Sequence, residues 1–322
     1  MRNLVGRERS FIIAYPFRPS IVIICGPTAS GKSRLGLELA EALGGEIVSA
    51  DSMQVYIDMD IGTDKPSSEV RARISHHAID LVYPDQAFDA LRYKEAASRS
   101  IEVITQTGRT AFVVGGTGLY VRVLLHGLFV CPPIPSEVRA ALRRQAHELG
   151  VGRLYEELKQ VDPTTAHRVH PHDAFRIVRG LEVYRTCGRP ISELRETHGF
   201  GQEAYRSLKL ALDVERDDLY RRIDTRVDGM IERGLLGEVE TLLNLGYTRD
   251  LRSMQGLGYR QIGAYLHGDY SLERAIELIK RDTRRYAKRQ WTWFRGDSGV
   301  RWLKGRDSRR EALMMVKNFL KL

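Results

Sequence analysis

Cysteine is scarce in this sequence: three residues in 322, Cys25, Cys131 and Cys187. They stand far apart along the chain with no C-x-x-C pair, which argues against a disulfide framework and against a cysteine-built zinc site. Such sparing use suits a reducing compartment, so the expected location is the cytoplasm. Long apolar runs are missing too, none approaching the ~18 residues of a membrane span. Residues 1–20, MRNLVGRERSFIIAYPFRPS, have a short apolar patch among basic residues but no continuous apolar core and no small-residue cleavage site. They read as a loosely attached extension rather than a secretory signal. There are no repeats and no low-complexity tract. Acidic residues are outnumbered, 41 against 50 basic, for a net charge of +9. That excess is compatible with nucleic acid or another polyanion, and equally with a solvated basic surface.

What is present is an ordinary globular composition, 43% hydrophobic and 28% charged, in a chain long enough for roughly two domains. The stretch IVIICGPTASGKSRLGLELA (21–40) runs an apolar strand into a glycine-rich turn and then a helix. It fits G-x-x-x-x-G-K-[ST] through Gly26, Pro27, Thr28, Ala29, Ser30, Gly31, Lys32 and Ser33. Such a nucleotide-binding P-loop holds phosphate by turned-in backbone N–H groups, a helix N-terminus and the lysine charge; it does not recognise a base. Strands are expected at 21–25, 46–52 and 110–116, with helices at 33–43 and 86–107 between them. This order predicts an α/β parallel sheet flanked by helices, like that of P-loop nucleoside triphosphate hydrolases, with ligands at the carboxyl ends of the strands. The P-loop, Asp51 and Gly115–Thr117 fall at such ends. A proline-rich hinge, CPPIP (131–135), then opens a basic helical stretch. The expected organisation is a core of residues 21–130 and 206–322 interrupted by a helical insertion at 131–205. Within the second core segment a strand is expected at 208–214, and residues 280–296, KRDTRRYAKRQWTWFRG, interleave aromatic and basic residues. They would pack aromatics on the core with solvated charges, contact nucleic acid, or do both.

Enzymes that transfer a γ-phosphate usually carry a metal-organising acid after a neighbouring buried strand. Here that strand ends in VVGGTGLY, without a carboxylate. The available acid is Asp51 in SADSMQVY, which could act as a base toward an acceptor, support a cation, or merely cap a turn. Arg222 and Arg226, four apart on one helical face, would either reach back over the P-loop or form a surface ladder with Asp218 and Asp224. Arg176 and Arg179 share a face in HPHDAFRIVRGLEVY, where Gly180 would leave room for a close partner. SMQGLGYRQI (253–262) sets two glycines beside an aromatic and an arginine, a combination suited to a splayed base or a phosphate.

Taken together, GPTASGKS, DSMQVY, MDIGTDKP, HHAID, VVGGTGLY, FRIVRGLEVY and GLGYRQ occur in the order and approximate spacing of the tRNA dimethylallyltransferases, and the chain resembles that family over residues 20–297. The resemblance implies that the cradled phosphates belong to dimethylallyl diphosphate. The prenyl group would go to the exocyclic amine of the adenine at position 37 of tRNA, 3′ of the anticodon in tRNAs reading codons beginning with U, and pyrophosphate would leave. It implies that Gly26–Ser33 bind the diphosphate, that Lys32 neutralises it and that Ser33 helps to hold Mg²⁺. Asp51 would take the proton from the amine, Thr117 would bond the pyrophosphate or the reacting centre, and Arg226 with Arg222 would stabilise the leaving group. Contact with tRNA is implied for Asp51, Ser52, Met53, Gln54, Thr117 and Arg139. It is also implied for Phe175, Arg176, Ile177, Val178 and Arg179, and for Gln255, Gly256, Leu257, Gly258, Tyr259 and Arg260. Phe175 departs from the family's usual polar residue, and Gly180 from its usual alanine. The zinc finger of eukaryotic members has no counterpart, which points to the bacterial type, with monomer as the default expectation and no membrane partner. A P-loop small-molecule kinase and a non-enzymatic RNA-binding module are the alternatives. The first predicts ATP turnover on a small acceptor, the second tRNA binding indifferent to Lys32.

Overall fold

The computed structural model describes residues 18–199, 201, 203–305 and 307–322; residues 1–17 of the expected N-terminal extension lie outside the described residues. The apolar run at 21–25 forms most of β1 (Ser20–Cys25), buried from Ile21 onward, as a strand covered on both faces must be. From it the chain passes through α1 (Lys32–Leu43), β2 (Glu46–Ser49), α2 (Ser68–Arg73), β3 (His76–His77), α3 (Ala90–Gln106), β4 (Ala111–Val114) and α4 (Gly118–His126). Gly44 closes α1 in the left-handed conformation (φ 61°), a backbone region that costs glycine nothing. Asp89 caps α3 by accepting from the N–H groups of Leu91 and Arg92, so this helix starts later than the expected residue 86.

Five helices follow: α5 (Ser136–Glu148), α6 (Val151–Val161), α7 (Pro163–Arg168), α8 (Ala174–Cys187) and α9 (Ile191–His198). The chain then returns to the sheet with β5 (Arg206–Asp213) and continues as α10 (Arg216–Glu232), α11 (Leu235–Asn244), α12 (Tyr259–Leu266), α13 (Leu272–Arg295), β6 (Val300–Lys304) and α14 (Ser308–Leu320). Among the described residues six strands order as β3-β2-β4-β1-β5-β6, every neighbouring pair parallel. β6 lies outside the expected set of strands. It is a short edge strand, half-exposed, and lacks the continuous apolar run that marks β1 and β4. Val22, Ile24, Leu35, Leu39, Phe112, Leu210 and Val316 form the core between the sheet and helices α1 and α14.

The chain divides into two compact units, one running through Leu124 and resuming at Ala204, the other Leu125–Glu203. These bounds differ by a few residues from the expected 131–205. The last turn of α4 already belongs to the second unit, and the Tyr205 hydroxyl donates to Ser98 Oγ on α3 (3.0 Å) in the first. The second unit has its own core of Leu142, Leu154, Leu158, Ile177 and Leu181. Gly180 lies in that core, and a Cβ there would stand 2.8 Å from Leu158 Cδ1. The space expected for a binding partner is therefore taken by the packing of α8 on α6. Cys131 and Cys187, far apart in sequence, are free thiols with sulfurs 3.2 Å apart; no disulfide is formed.

Candidate active site

The turn from β1 to α1 needs backbone that most residues resist: φ is 125° at Gly26, 61° at Ala29 and 97° at Gly31. Lys32 folds its ammonium back onto the Pro27 carbonyl (3.2 Å), and burial together with the neighbouring Arg226 charge pushes its pKa down to about 8. Arg222 and Arg226 of α10 both lie against this loop. Arg222 Nη1 donates to the Ser30 carbonyl at 3.4 Å, and Arg226 donates to the Thr28 hydroxyl while its Nε sits 3.2 Å from Asp64. Asp218 pairs with Arg221, and Asp224 lies 3.7 Å from Arg284, so the ladder along α10 does not engage Arg222 or Arg226. Ser33 is exposed in the first turn of α1.

The loop is bolted from behind by a residue that sequence reasoning missed. Gln290 on α13 accepts from the Thr28 N–H and donates to the Gly116 carbonyl, both at 2.8 Å and both buried. One side chain thus ties the P-loop to the end of β4. A Cβ at Gly116 would collide with Gln290 itself, and one at Gly115 would collide with the Ala50 backbone, so the pair Gly115-Gly116 is set by close approach. In the run 280–296 the pattern lies in charge and aromatics; a lone glutamine inside it carries no signal.

Asp51 follows directly on this approach. The Ala50 N–H donates to the Val114 carbonyl (2.8 Å), and the Thr117 N–H donates back to Ala50 (3.1 Å). Thr117 Oγ1 accepts from the Ser52 N–H (3.0 Å), and Asp51 Oδ1 from the Met53 N–H (2.9 Å). β2 stops at Ser49, short of the expected 52, because residues 50–54 turn along β4 instead of extending. Tyr286, one helical turn before Gln290, stands over this corner; burial and the Asp51 charge push its phenol up to about 12. Asp51, Ser52, Met53, Thr28, Arg226 and Tyr286 share the wall of one cleft of about 590 Å³, together with Gln255–Arg260 and the α13 arginines 281, 285 and 289.

Gln54 is placed differently from expectation. Its side chain accepts from Ser49 Oγ (2.8 Å) and donates to the carbonyls of Thr63 (3.3 Å) and Asp64 (3.2 Å), which leaves it inside the loop rather than on the cleft wall. The MDIGTDKP stretch has a structural purpose. Lys65, its side chain 1% exposed, donates to the Tyr56 carbonyl and to Asp60 and Asp80. Glu238 on α11 accepts from the successive N–H groups of Asp60, Ile61 and Gly62 (2.9, 2.6 and 3.1 Å) and from the Tyr259 hydroxyl (2.6 Å). Tyr259 is 1% exposed, and burial beside Glu238 raises its pKa. Its side chain holds the loop. Gly256 lies under Met53, where a Cβ would meet Met53 Cε at 2.5 Å, while Gln255 donates to the Arg249 carbonyl (2.6 Å) and Arg260 pairs with Asp282 (3.0 Å).

In the second unit the implied contact residues separate by burial. Ile177 is fully buried in its core, and Val178 packs against the same core. Only Phe175 (80% exposed), Arg176 and Arg179 project from that turn of α8. Arg176 pairs with Asp173 (2.7 Å), while Arg179 and Arg139 both bond Glu182. Of the aromatics at 291–294, Phe294 is buried and Trp293 lies against Gly118.

Comparison with known proteins puts this geometry in context. A model of the IPP transferase family matches residues 54–297. A protein of Geotalea daltonii named tRNA dimethylallyltransferase 2 is 52% identical over 283 residues, 88% of this chain and 87% of its own. A tRNA dimethylallyltransferase of Desulfosudis oleivorans is 45% identical over 95% of this chain and 98% of its own. Among solved structures, a tRNA isopentenylpyrophosphate transferase of Bacillus halodurans superposes with a TM-score of 0.68 at 37% identity, covering 94% of this chain and 96% of that one. A eukaryotic dimethylallyltransferase acting on tRNA gives a TM-score of 0.79 at 28% identity, covering 94% and 80%. With more than half of its length matched by the family model and a relative 52% identical over 88% of it, this chain belongs to the IPP transferase family.

Proposed function

We propose that this chain transfers the dimethylallyl group of dimethylallyl diphosphate to the exocyclic amine of the adenine at position 37 of tRNA, 3′ of the anticodon in tRNAs reading codons that begin with U. The observation that carries this reading is one cleft wall that joins the Asp51 corner to the P-loop face of Thr28 and Arg226. In the reaction the amine nitrogen bonds to C1 of the allylic group as the C1–O bond breaks. The bonding pair leaves on pyrophosphate, and the surplus proton of the nitrogen passes to Asp51. Allylic C–O bonds ionise readily, so stabilising the departing charge is the larger demand and the base acts late. Lys32, Arg226, Arg222 and the N–H groups opening α1 meet that demand. Thr117, oriented by the Ser52 N–H, hydrogen-bonds the leaving group or the reacting centre. The adenine must leave its stack to reach this depth, and Met53 with the glycines of 256–258 gives it a thin-walled seat.

Mg²⁺ fits the donor set. Ser33 is exposed in the first turn of α1 beside the loop, and its hydroxyl would give one protein oxygen to an ion otherwise held by diphosphate oxygens and water. Such an ion would supply charge neutralisation on the leaving group. The RNA is further held by Phe175, Arg176, Arg179 and Arg139.

The test is a transfer assay with folded protein, unmodified tRNA, Mg²⁺ and labelled dimethylallyl diphosphate. Label entering tRNA, and failing to enter when adenine 37 is changed to guanine, is the expected result. No transfer, with ATP consumed on a small acceptor instead, would overturn the reading.

A further inference from the structure

Glu182 on α8 is a carboxylate with 8% of its side chain exposed, and no step above uses it. Its Oε1 accepts from Arg139 Nε at 3.1 Å and its Oε2 from Arg179 Nη1 at 3.2 Å. The first arginine comes from α5 and the second from α8, so the shared carboxylate is what holds the two guanidinium groups side by side. Both arginines remain partly exposed, and neither forms another ion pair among the described residues. Arg139 is bound through Nε, which leaves both Nη groups free to donate. Arg179 is bound through Nη1, which leaves Nη2 and Nε. Two cations share one anion, so the cluster keeps a net positive charge. Arg176 differs: it forms a one-to-one pair with Asp173 within the same turn.

We infer that Glu182 is a positioning residue that preorganises Arg139 and Arg179 as a two-pronged seat for one phosphate of the RNA backbone. This rests on the proposal that the substrate is tRNA. A free arginine carries about 2 kcal/mol of rotamer entropy, and the buried carboxylate removes much of that loss before RNA arrives. A guanidinium offers paired N–H groups to phosphate oxygens, so two held together present a seat that loose surface lysines cannot match.

The sign of one mutational effect separates this from simple charge attraction. Glu182→Gln deletes a negative charge from a surface that meets a polyanion, so attraction alone predicts tighter binding. Preorganisation predicts the reverse, because the amide can accept from one arginine while its NH₂ group repels the other. The expected result is a rise of about tenfold in Kd for unmodified tRNA, with a shallower salt dependence. KM for tRNA rises in step while kcat and the KM for the diphosphate hold. Adding Arg139→Ala to Glu182→Gln weakens binding no further than the stronger single change. Glutamine nearly preserves shape, and thermal unfolding of each variant verifies the fold. Tighter or unchanged tRNA binding by folded Glu182→Gln overturns the inference while leaving the transferase reading intact. Wild-type protein that fails to bind tRNA overturns both.

Discussion

Replacing Gln290 by alanine tests the claim that one side chain couples the P-loop to the strand end behind it. The change removes two buried hydrogen bonds of 2.8 Å, leaving the Thr28 N–H and the Gly116 carbonyl without their partner. An unsatisfied buried backbone group costs about 1–3 kcal/mol, so the pair predicts a loss of roughly 2–6 kcal/mol in stability when no water replaces the side chain. For a chain of this size that is a fall in melting temperature on the order of 3–9 °C. The functional effect follows from what Thr28 does next: its hydroxyl receives Arg226, so a loosened Thr28 frees the guanidinium that we propose stabilises the leaving group. Steady-state kinetics should therefore show KM for dimethylallyl diphosphate rising by about tenfold, equivalent to ~1.4 kcal/mol, with KM for tRNA nearly constant. Differential scanning fluorimetry and initial-rate measurements read both quantities. An unchanged melting temperature together with an unchanged diphosphate KM would refute the reasoning.

Three further outcomes are expected. Asp51→Ala should lower turnover by roughly 10²–10⁴ while diphosphate binding, followed by calorimetry, stays close to wild type; full activity would remove Asp51 from the proton transfer. Lys32 has its pKa lowered from 10.5 to about 8, so kcat/KM for the diphosphate should fall as pH rises through about 8, and Lys32→Arg should abolish that fall if any activity persists. For stability the sign is opposite: between about 8 and 10.5 the unfolded lysine holds a proton that the folded one has lost, so this residue's burden is fully present below that window and is relieved as pH rises through it. Lys32→Met should accordingly raise the melting temperature at pH 7, and the gain should vanish by about pH 10.5; a gain independent of pH would contradict it.

Much of the site was legible because its requirements are local. Gly26 and Gly31 turn the chain with positive φ, Lys32 must follow them, and Gly115 must let the Ala50 backbone pass. Each leaves a residue type at a fixed place in a short motif. The unread part is long-range: Gln290 meets Thr28 across 262 residues, and Glu238 meets Gly62 across 176. A polar residue inside a basic helix looks solvent-facing until the helix has somewhere to dock. Helical spacing placed Arg176 and Arg179 on one face of α8, but could not tell that Ile177 between them is core. It also could not tell that Gln54, three residues after Asp51, would be spent on the carbonyls of Thr63 and Asp64. The edge strand β6 was invisible for a related reason, since one exposed side dilutes the apolar run that identifies inner strands.

The contact of Glu238 with residues 60–62 has a consequence for anion selection. Three successive backbone N–H groups turned toward one point form a concavity that attracts any oxyanion. This one is filled by the protein's own carboxylate, so it is a receptor already closed by a tethered ligand. If the P-loop takes the diphosphate as proposed, a molecule with one concavity plugged from within and one open offers that anion a single address. Removing the plug would then do more than slacken a loop: it would open a second berth for the same anion.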